Sequence, residues 1–295
     1  MPNLFVISGP TASGKSSLAI EVCAALEGEV VSADSMQVYK HMDIATAKPS
    51  VEDRARVRHH LVSVIEPDEQ FSVAKYAALA HSVISEIHAR GKTPVLCGGT
   101  GLYIQAVVEN LQLTPGEITS EGAGTWEELY EIDPAYAKRI HPNDQKRISH
   151  AIALFRSTGV TLTEQNARSR DIASPYDARM IFLNARDRKT LYDRIDKRVD
   201  VMIEAGLVEE AKLENTGITA KQAIGHKELQ GYFDGVCSLD EAAAKLKRET
   251  RRYAKRQLSW FRRMAREWNA RSPGSCAELF IEEDYMAQAI AFLQE

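Results

Sequence analysis

The sequence has 295 residues, 44% hydrophobic and 26% charged, a globular composition with room for one large domain plus an insertion, or for two domains. No run approaches the roughly 18 apolar residues that a spanning helix needs. The first residues also lack the basic stretch and small-residue cleavage site of a secretory signal. Cys23, Cys97, Cys237 and Cys276 are scattered and form no C-x-x-C pair, so neither a zinc site nor a disulfide framework is expected, and a reducing compartment is. The charge is uneven. Of 37 basic and 41 acidic residues, residues 245–271 hold eleven Lys or Arg against Glu249 and Glu267, a local net of +9. The other 26 basic and 39 acidic residues leave the remainder at −13. Such a segment fits a polyanionic partner or a solvated helix face.

In chain order, "NLFVIS" is apolar and β-branched and reads as a buried strand ending at Gly9-Pro10. "SSLAIEVCAALEG" spaces its apolar residues as a helix stopping at Gly28. "EVVSAD" is a second strand, "SVAKYAALAHSVISEIHARG" an amphipathic helix ending at Gly91, and "TPVLCGGTG" another strand running into glycines. Strands alternating with helices predict a parallel α/β sheet with right-handed crossovers. After Glu109 the pattern changes. "LQLTPGEITSEGAG" is loop-like, and Thr125 to about Asn166 is helical, with a restart at Pro134, an N-cap at Asn143 and a stop at Gly159. Residues 110–172 therefore read as a helical insertion into a core made of 1–109 and 173–295. "RMIFLNA" returns as a strand, "RKTLYDRIDKRVDVMIEAG" is a helix stopping at Gly206, and the C-terminal third reads as helical. Tyr253, Trp260 and Phe261 fall near i, i+7 and i+8, a spacing that favours core packing over base stacking.

The chemistry starts at Gly9-Pro10-Thr11-Ala12-Ser13-Gly14-Lys15-Ser16-Ser17, which matches G-x-x-x-x-G-K-[ST] in full between a predicted strand and a predicted helix. Glycines let backbone N–H groups converge on anionic oxygens, and the helix presents its positive end. Lys15 supplies a cation, and the Ser16 hydroxyl suits a phosphate-bound Mg²⁺. The loop is a di- or triphosphate site. Small-molecule kinases and nucleoside triphosphatases are candidates, and in the latter Asp34 of "EVVSAD" would be a Mg²⁺ ligand. The polar "DSMQVY" that follows suits substrate contact, making Asp34 either a base facing an acceptor or a cap of the next turn.

Further segments add up: "VVSADSMQVYKHMDIATAKP", "HHLV", "FSVAKY", "PVLCGGTGLYI", "HPNDQKRI", "YDRIDKRVDVMIEAGLVEE", "QAIGHKEL" and "RYAKRQLSWFRR". With the phosphate loop, and in this order, the chain resembles the bacterial tRNA dimethylallyltransferases from about residue 5 to about residue 263. The resemblance implies a P-loop nucleotide-kinase-like parallel sheet core with a helical insertion that grips the anticodon arm. It implies transfer of a dimethylallyl group from dimethylallyl diphosphate to N6 of the adenosine just 3′ of the anticodon, in tRNAs reading codons that begin with U. The phosphate loop would then grip a diphosphate leaving group, with Mg²⁺, in a monomeric cytoplasmic enzyme.

On this resemblance Asp34 takes the proton from the adenine amine, and Thr100 lies near the leaving oxygen and the target base. Asp34, Ser35, Met36 and Gln37 contact the flipped base and its neighbours. Lys146, Arg147, Ile148, Ser149 and His150, and Gln222, Ala223, Ile224, Gly225, His226 and Lys227, are the other tRNA-contact stretches. The basic segment near the C-terminus tracks phosphates. Three departures from the family pattern stand out. The insertion opens without an Arg or Lys before Lys138, His150 stands where a second Arg is common, and "IGHKE" puts His226 in place of a tyrosine. Each bears on tRNA affinity and none on the phosphate loop. A kinase, a prenyltransferase acting on free adenine nucleotides, and a non-catalytic RNA-binding protein remain as alternatives.

Overall fold

The computed structural model describes residues 1–111, 113, 124–170, 173–212, 217 and 219–294. The loop-like stretch expected at the start of the insertion lies mostly outside them. In order come β1 (Asn3–Ser8), α1 (Lys15–Ala25), β2 (Gly28–Ser32), α2 (Val51–Arg56), β3 (His59–His60), α3 (Val73–Ala89), β4 (Thr93–Gly98) and α4 (Gly101–Val108). The short helices α5 (Trp126–Ile132) and α6 (Pro134–Ala137) lead to α7 (Gln145–Thr158) and α8 (Leu162–Arg170). Then follow β5 (Asp177–Asn184), α9 (Arg188–Glu204), α10 (Leu207–Glu210), α11 (His226–Phe233), α12 (Leu239–Arg271), β6 (Cys276–Phe280) and α13 (Tyr285–Gln294).

The six strands form one sheet in the order β3-β2-β4-β1-β5-β6, every pair parallel. β1, β4 and β5 are buried nearly throughout, because helices cover both faces of a parallel sheet and leave no side for water. Phe5, Ile7, Val95, Ile181 and Leu183 meet Leu18 and Val22 of α1 and Ala289 and Leu293 of α13 in one core cluster. The expected parallel α/β core is thus present.

Three boundaries differ from the sequence reading. α1 ends at Ala25 with Leu26 as its cap, and Gly28 opens β2 rather than ending the helix. The N-cap of α7 is Asp144, whose carboxylate accepts from the Arg147 N–H at 3.2 Å; it is not Asn143. The C-terminal third is not wholly helical: β6 adds an edge strand beside β5, anchored by Cys276 and Leu279.

The chain forms two compact units. The first is Met1–Phe71, Ala78–Ile104 and Tyr176–Glu295, and holds the sheet. The second is Ser72–Ala77 and Gln105–Pro175, and includes residues 110–172. The second unit is helical among its described residues and has its own core of Leu129, Ala137, Ile148, Ala151 and Ile152. Asp133 caps α6 and also accepts from the Thr163 N–H at 2.9 Å and the Thr163 hydroxyl at 2.6 Å, which fixes α8 to the α5–α6 corner.

α12 is the longest helix, 33 residues, or about 50 Å at 1.5 Å per residue. Ser238 starts it with a reciprocal capping box to Glu241. Its buried stripe runs Ala242, Leu246, Thr250, Ala254, Gln257, Phe261, Met264 and Trp268, in steps of four up to Ala254 and then of three and four. Phe261 is fully buried, its ring 6.0 Å from that of Phe182 on β5, the packing its spacing predicted. Burial of such a side chain stabilises by about 1.5–3 kcal/mol. Among the described residues, no helix is long and apolar enough to cross a membrane.

Candidate active site

The site follows from the strand order. β2, β4 and β1 are neighbours, about 4.8 Å apart, and parallel strands deliver their carboxyl ends to one edge. Asp34 follows β2, Gly99 and Thr100 follow β4, and the phosphate loop follows β1, so three segments distant in sequence meet at the edge where open α/β sheets bind ligands.

The loop turns into α1 at Gly14, which caps the helix with φ 89°, a left-handed conformation open to glycine. A side chain there would also meet the Tyr285 hydroxyl, 2.9 Å from the added carbon. Pro10 accepts from Lys15 Nζ at 3.3 Å. The Ser13 hydroxyl is buried and has no hydrogen-bond partner among the described residues, while Ser16 and Ser17 are exposed. A buried hydroxyl left unpaired is costly, and at a helix N-terminus an anionic oxygen satisfies it. Burial pushes the Lys15 ammonium below its ordinary pKa; the nearby Arg198 charge adds to this, and Asp34 opposes it. Burial likewise pushes the Cys97 thiol, on the strand behind Lys15, up to about 12, so it stays a neutral wall.

Asp34 Oδ1 accepts from the Met36 N–H at 2.9 Å and the Gln37 N–H at 3.4 Å, so one oxygen does cap the following turn. The other oxygen has no hydrogen-bond partner among the described residues, and Asp34 lines the cavity. Ser35 N–H donates to Thr100 Oγ1 at 3.0 Å, and the Thr100 hydroxyl donates to Ser35 Oγ at 3.3 Å. Thr100 therefore stands against the Asp34 turn. Gln37 is engaged on both ends of its amide: it accepts from Ser32 Oγ at 2.9 Å and donates to the Thr46 and Ala47 carbonyls at 3.3 and 3.2 Å. Its side chain shapes the cavity wall. Glu210 holds the same wall from outside, accepting from the N–H groups of Asp43, Ile44 and Ala45, each at 2.7 Å.

One cavity of about 330 Å³ gathers most of the expected residues. Thr11, Ala12, Gly14 to Ser17, Asp34 to Gln37, Gln222 to Ile224 and Lys227 all line it. Gly225 forms a positive-φ turn, and His226 is buried, its imidazole kept below its usual pKa by burial, with Nε2 unpaired among the described residues. Lys146 to His150 lie on α7 in the second unit. Lys146 and Arg147 are exposed there, whereas Ile148 is fully buried in that unit's core and offers no side chain to a partner. Burial also lowers the His150 pKa, and Lys146 lowers it further.

The structure adds residues that motif reasoning passed over. Arg198 of α9 and Thr250, Tyr253, Arg256 and Gln257 of α12 line the cavity. Tyr253 corrects the expectation of core packing for its aromatic group: it lines the cavity, and burial raises the pKa of its phenol. Arg198 is half-buried and makes no ion pair among the described residues. Burial lowers its pKa and Asp34 raises it. A signal did exist. Arg198 falls on the same stripe as Leu191, Ile195, Val199 and Met202, and an arginine among core positions calls for an anionic partner.

Lys15, Arg198, Asp34 and the N-terminus of α1 face one cavity at the carboxyl edge of a P-loop, kinase-like sheet. The IPP transferase family model matches residues 37–264. A tRNA dimethylallyltransferase of Geobacter sulfurreducens is 48% identical over 277 residues, covering 88% of this chain and 89% of the relative. One from Halalkalibacterium halodurans is 45% identical over 281 residues, covering 89% and 88%. Among solved structures, the full-length tRNA isopentenylpyrophosphate transferase of Bacillus halodurans aligns with TM-score 0.72 at 38% identity, covering 100% of this chain and 96% of that one. A eukaryotic dimethylallyltransferase captured acting on tRNA aligns with TM-score 0.81 at 28% identity, covering 95% and 74%. The chain belongs to the IPP transferase family, and is a transferase enzyme.

Proposed function

We propose that this protein transfers the dimethylallyl group of dimethylallyl diphosphate to N6 of the adenosine immediately 3′ of the anticodon, in tRNAs reading codons that begin with U, and releases diphosphate. The observation that carries the reading is that Lys15 and Arg198, neither in an ion pair among the described residues, line one cavity with Asp34. At the allylic carbon, negative charge grows on the departing oxygen. Lys15, Arg198, the loop N–H groups and the hydroxyls of Ser13, Ser16 and Ser17 oppose that charge from fixed positions. The free oxygen of Asp34 takes the proton that the adenine amine loses as the C–N bond forms. An all-oxygen donor set suits Mg²⁺: the exposed Ser16 hydroxyl and the substrate's own phosphates would hold it, and it would neutralise leaving-group charge. The base leaves the loop stack at a cost of a few kcal/mol, offset by backbone contacts from the basic face of α12 and from Lys146, Arg147 and Lys227. The enzyme acts where tRNA is, in the cytoplasm, as a monomer.

The test is one assay with purified protein, Mg²⁺ and radiolabelled dimethylallyl diphosphate, offered unmodified tRNA and, in parallel, AMP or ATP. Label is expected only in tRNA, at one adenosine. Label in the free nucleotide would move the acceptor, and ATP hydrolysis without transfer would return the chain to the kinases. Asp34→Ala is expected to bind diphosphate normally while losing about 10²–10⁴ in turnover. Joint loss of binding and turnover would make Asp34 a metal or structural residue instead.

A further inference from the structure

Gln257 is a buried polar residue on a mostly apolar stripe, and it uses both ends of its amide on distant loops. Its Oε1 accepts from the Thr11 N–H at 2.8 Å, in the phosphate loop. Its Nε2 donates to the Gly99 carbonyl at 2.9 Å, in the turn after β4. Only glycine permits this approach: a Cβ at Gly99 would collide with Gln257 Nε2. The next residue is Thr100, which takes the Ser35 N–H beside Asp34 and donates its own N–H to the Ala33 carbonyl at 3.1 Å. Tyr253, one turn earlier on α12, lines the same cavity. Hydrogen bonds joined through the Gly99–Thr100 peptide thus run from the diphosphate side of the cavity to the acceptor side, with Gln257 bridging the two loops.

Building on the proposed transfer reaction, we infer that Gln257 is a positioning residue: it sets the distance between the diphosphate loop and the Asp34–Thr100 side, and so acts on the transfer step through Thr100. Two reactants held by separate loops depend on loop spacing, and a 1 Å misplacement costs about 10²-fold in rate. The Thr11 N–H is consumed by Gln257 and the Ser13 N–H by the Pro10 carbonyl, so the N–H groups from Gly14 to Ser17 are the ones left for the diphosphate. Losing Gln257 should therefore harm turnover far more than diphosphate binding.

The experiment measures kcat, KM for both substrates, inorganic diphosphate affinity and stoichiometry, and melting temperature, for Gln257→Leu and Gln257→Glu, each alone and combined with Thr100→Val. Leu removes both hydrogen bonds. Glu keeps the acceptor for Thr11 but has no donor for Gly99. Both single variants are expected to lose about 10²-fold in kcat. Diphosphate affinity should fall less than about tenfold for Leu and less than about threefold for Glu. In the Thr100→Val background either change should cost no more than about threefold, because the two residues act as a unit. Losses that multiply instead would overturn coupling through Thr100. So would fewer diphosphate sites per molecule with unchanged turnover per site, which marks a merely structural role. If Gln257→Glu does not fold, the Leu series alone decides. Failure of the unaltered protein to prenylate tRNA would overturn the parent reading as well, and is distinct from either result.

Discussion

The phosphate loop and the α9–α12 wall hold opposite sides of one cavity by opposite means. The loop is nine consecutive residues, Gly9 to Ser17, and works chiefly through backbone N–H groups that a strand and a helix aim. The wall is Arg198, Thr250, Tyr253, Arg256 and Gln257, drawn from two helices and working through side chains. The loop's geometry comes mainly from its own strand–loop–helix context, with Gln257 of the wall holding the Thr11 N–H. The wall's geometry exists only when α9 and α12 pack in register. Binding of the leaving group should be built into the first, and alignment for transfer into the second.

The strongest way to break this division is Lys15→Met. It should cost about 10²–10³ in kcat/KM, with diphosphate affinity falling alongside, since a donor to developing charge is removed. Normal diphosphate affinity would place the binding elsewhere. Arg198→Leu comes next, at about 10–10² in kcat/KM, and Arg198→Lys should recover part of it, because a point charge remains while the planar fork is lost. Equal effects of Leu and Lys would mean that Arg198 serves geometry rather than charge.

The same contrast explains what the sequence made legible. The loop was readable because its chemistry is contiguous and its strand–loop–helix context is local. β1, β2, β4 and β5 were readable as apolar runs. The wall was not. Periodicity shows that Arg198, Tyr253 and Gln257 share stripes with core residues, but not that those stripes open onto a cavity partway along. β6 was missed for a related reason: "CAELF" has only Cys276 and Leu279 buried, a spacing that fits a helix as well as an edge strand. Gln37 and Ile148 show the reverse limit. A contact stretch can be marked in sequence while one of its side chains is committed to a cavity wall and another to a core.

A smaller effect separates the loop cation from the wall cation by pH. Burial holds Lys15 below the ordinary lysine value. It is charged at lower pH and loses that charge as pH rises through the lowered pKa, so diphosphate affinity should decline before about pH 10.4 is approached. A thio analogue of dimethylallyl diphosphate, fully ionised above neutral pH, isolates this loss in a binding titration. Lys15→Arg should flatten the decline, because a guanidinium does not deprotonate there. A decline unchanged in Lys15→Arg would assign it to another group.

The smallest effect tests the register of the wall. Asp196 pairs with Arg251 at 2.5 Å and Asp200 with Lys247 at 2.6 Å. As the first partner advances four residues the second retreats four, so the two helices run antiparallel and Arg198 is held near the level of Thr250. Both pairs are partly exposed, and each is therefore worth about 0–1 kcal/mol. Lys247→Met should lower the melting temperature only slightly and leave diphosphate affinity untouched. The apolar stripe carries the packing: Ile195 against Ala254 and Leu191 against Leu258 would keep the register without the ion pair. If Lys247→Met instead reduced kcat by tenfold or more with stability intact, the ion pairs would be setting the wall's alignment. The side chains that reach the cavity would then owe their placement to charge on the helix surface rather than to the core beneath it.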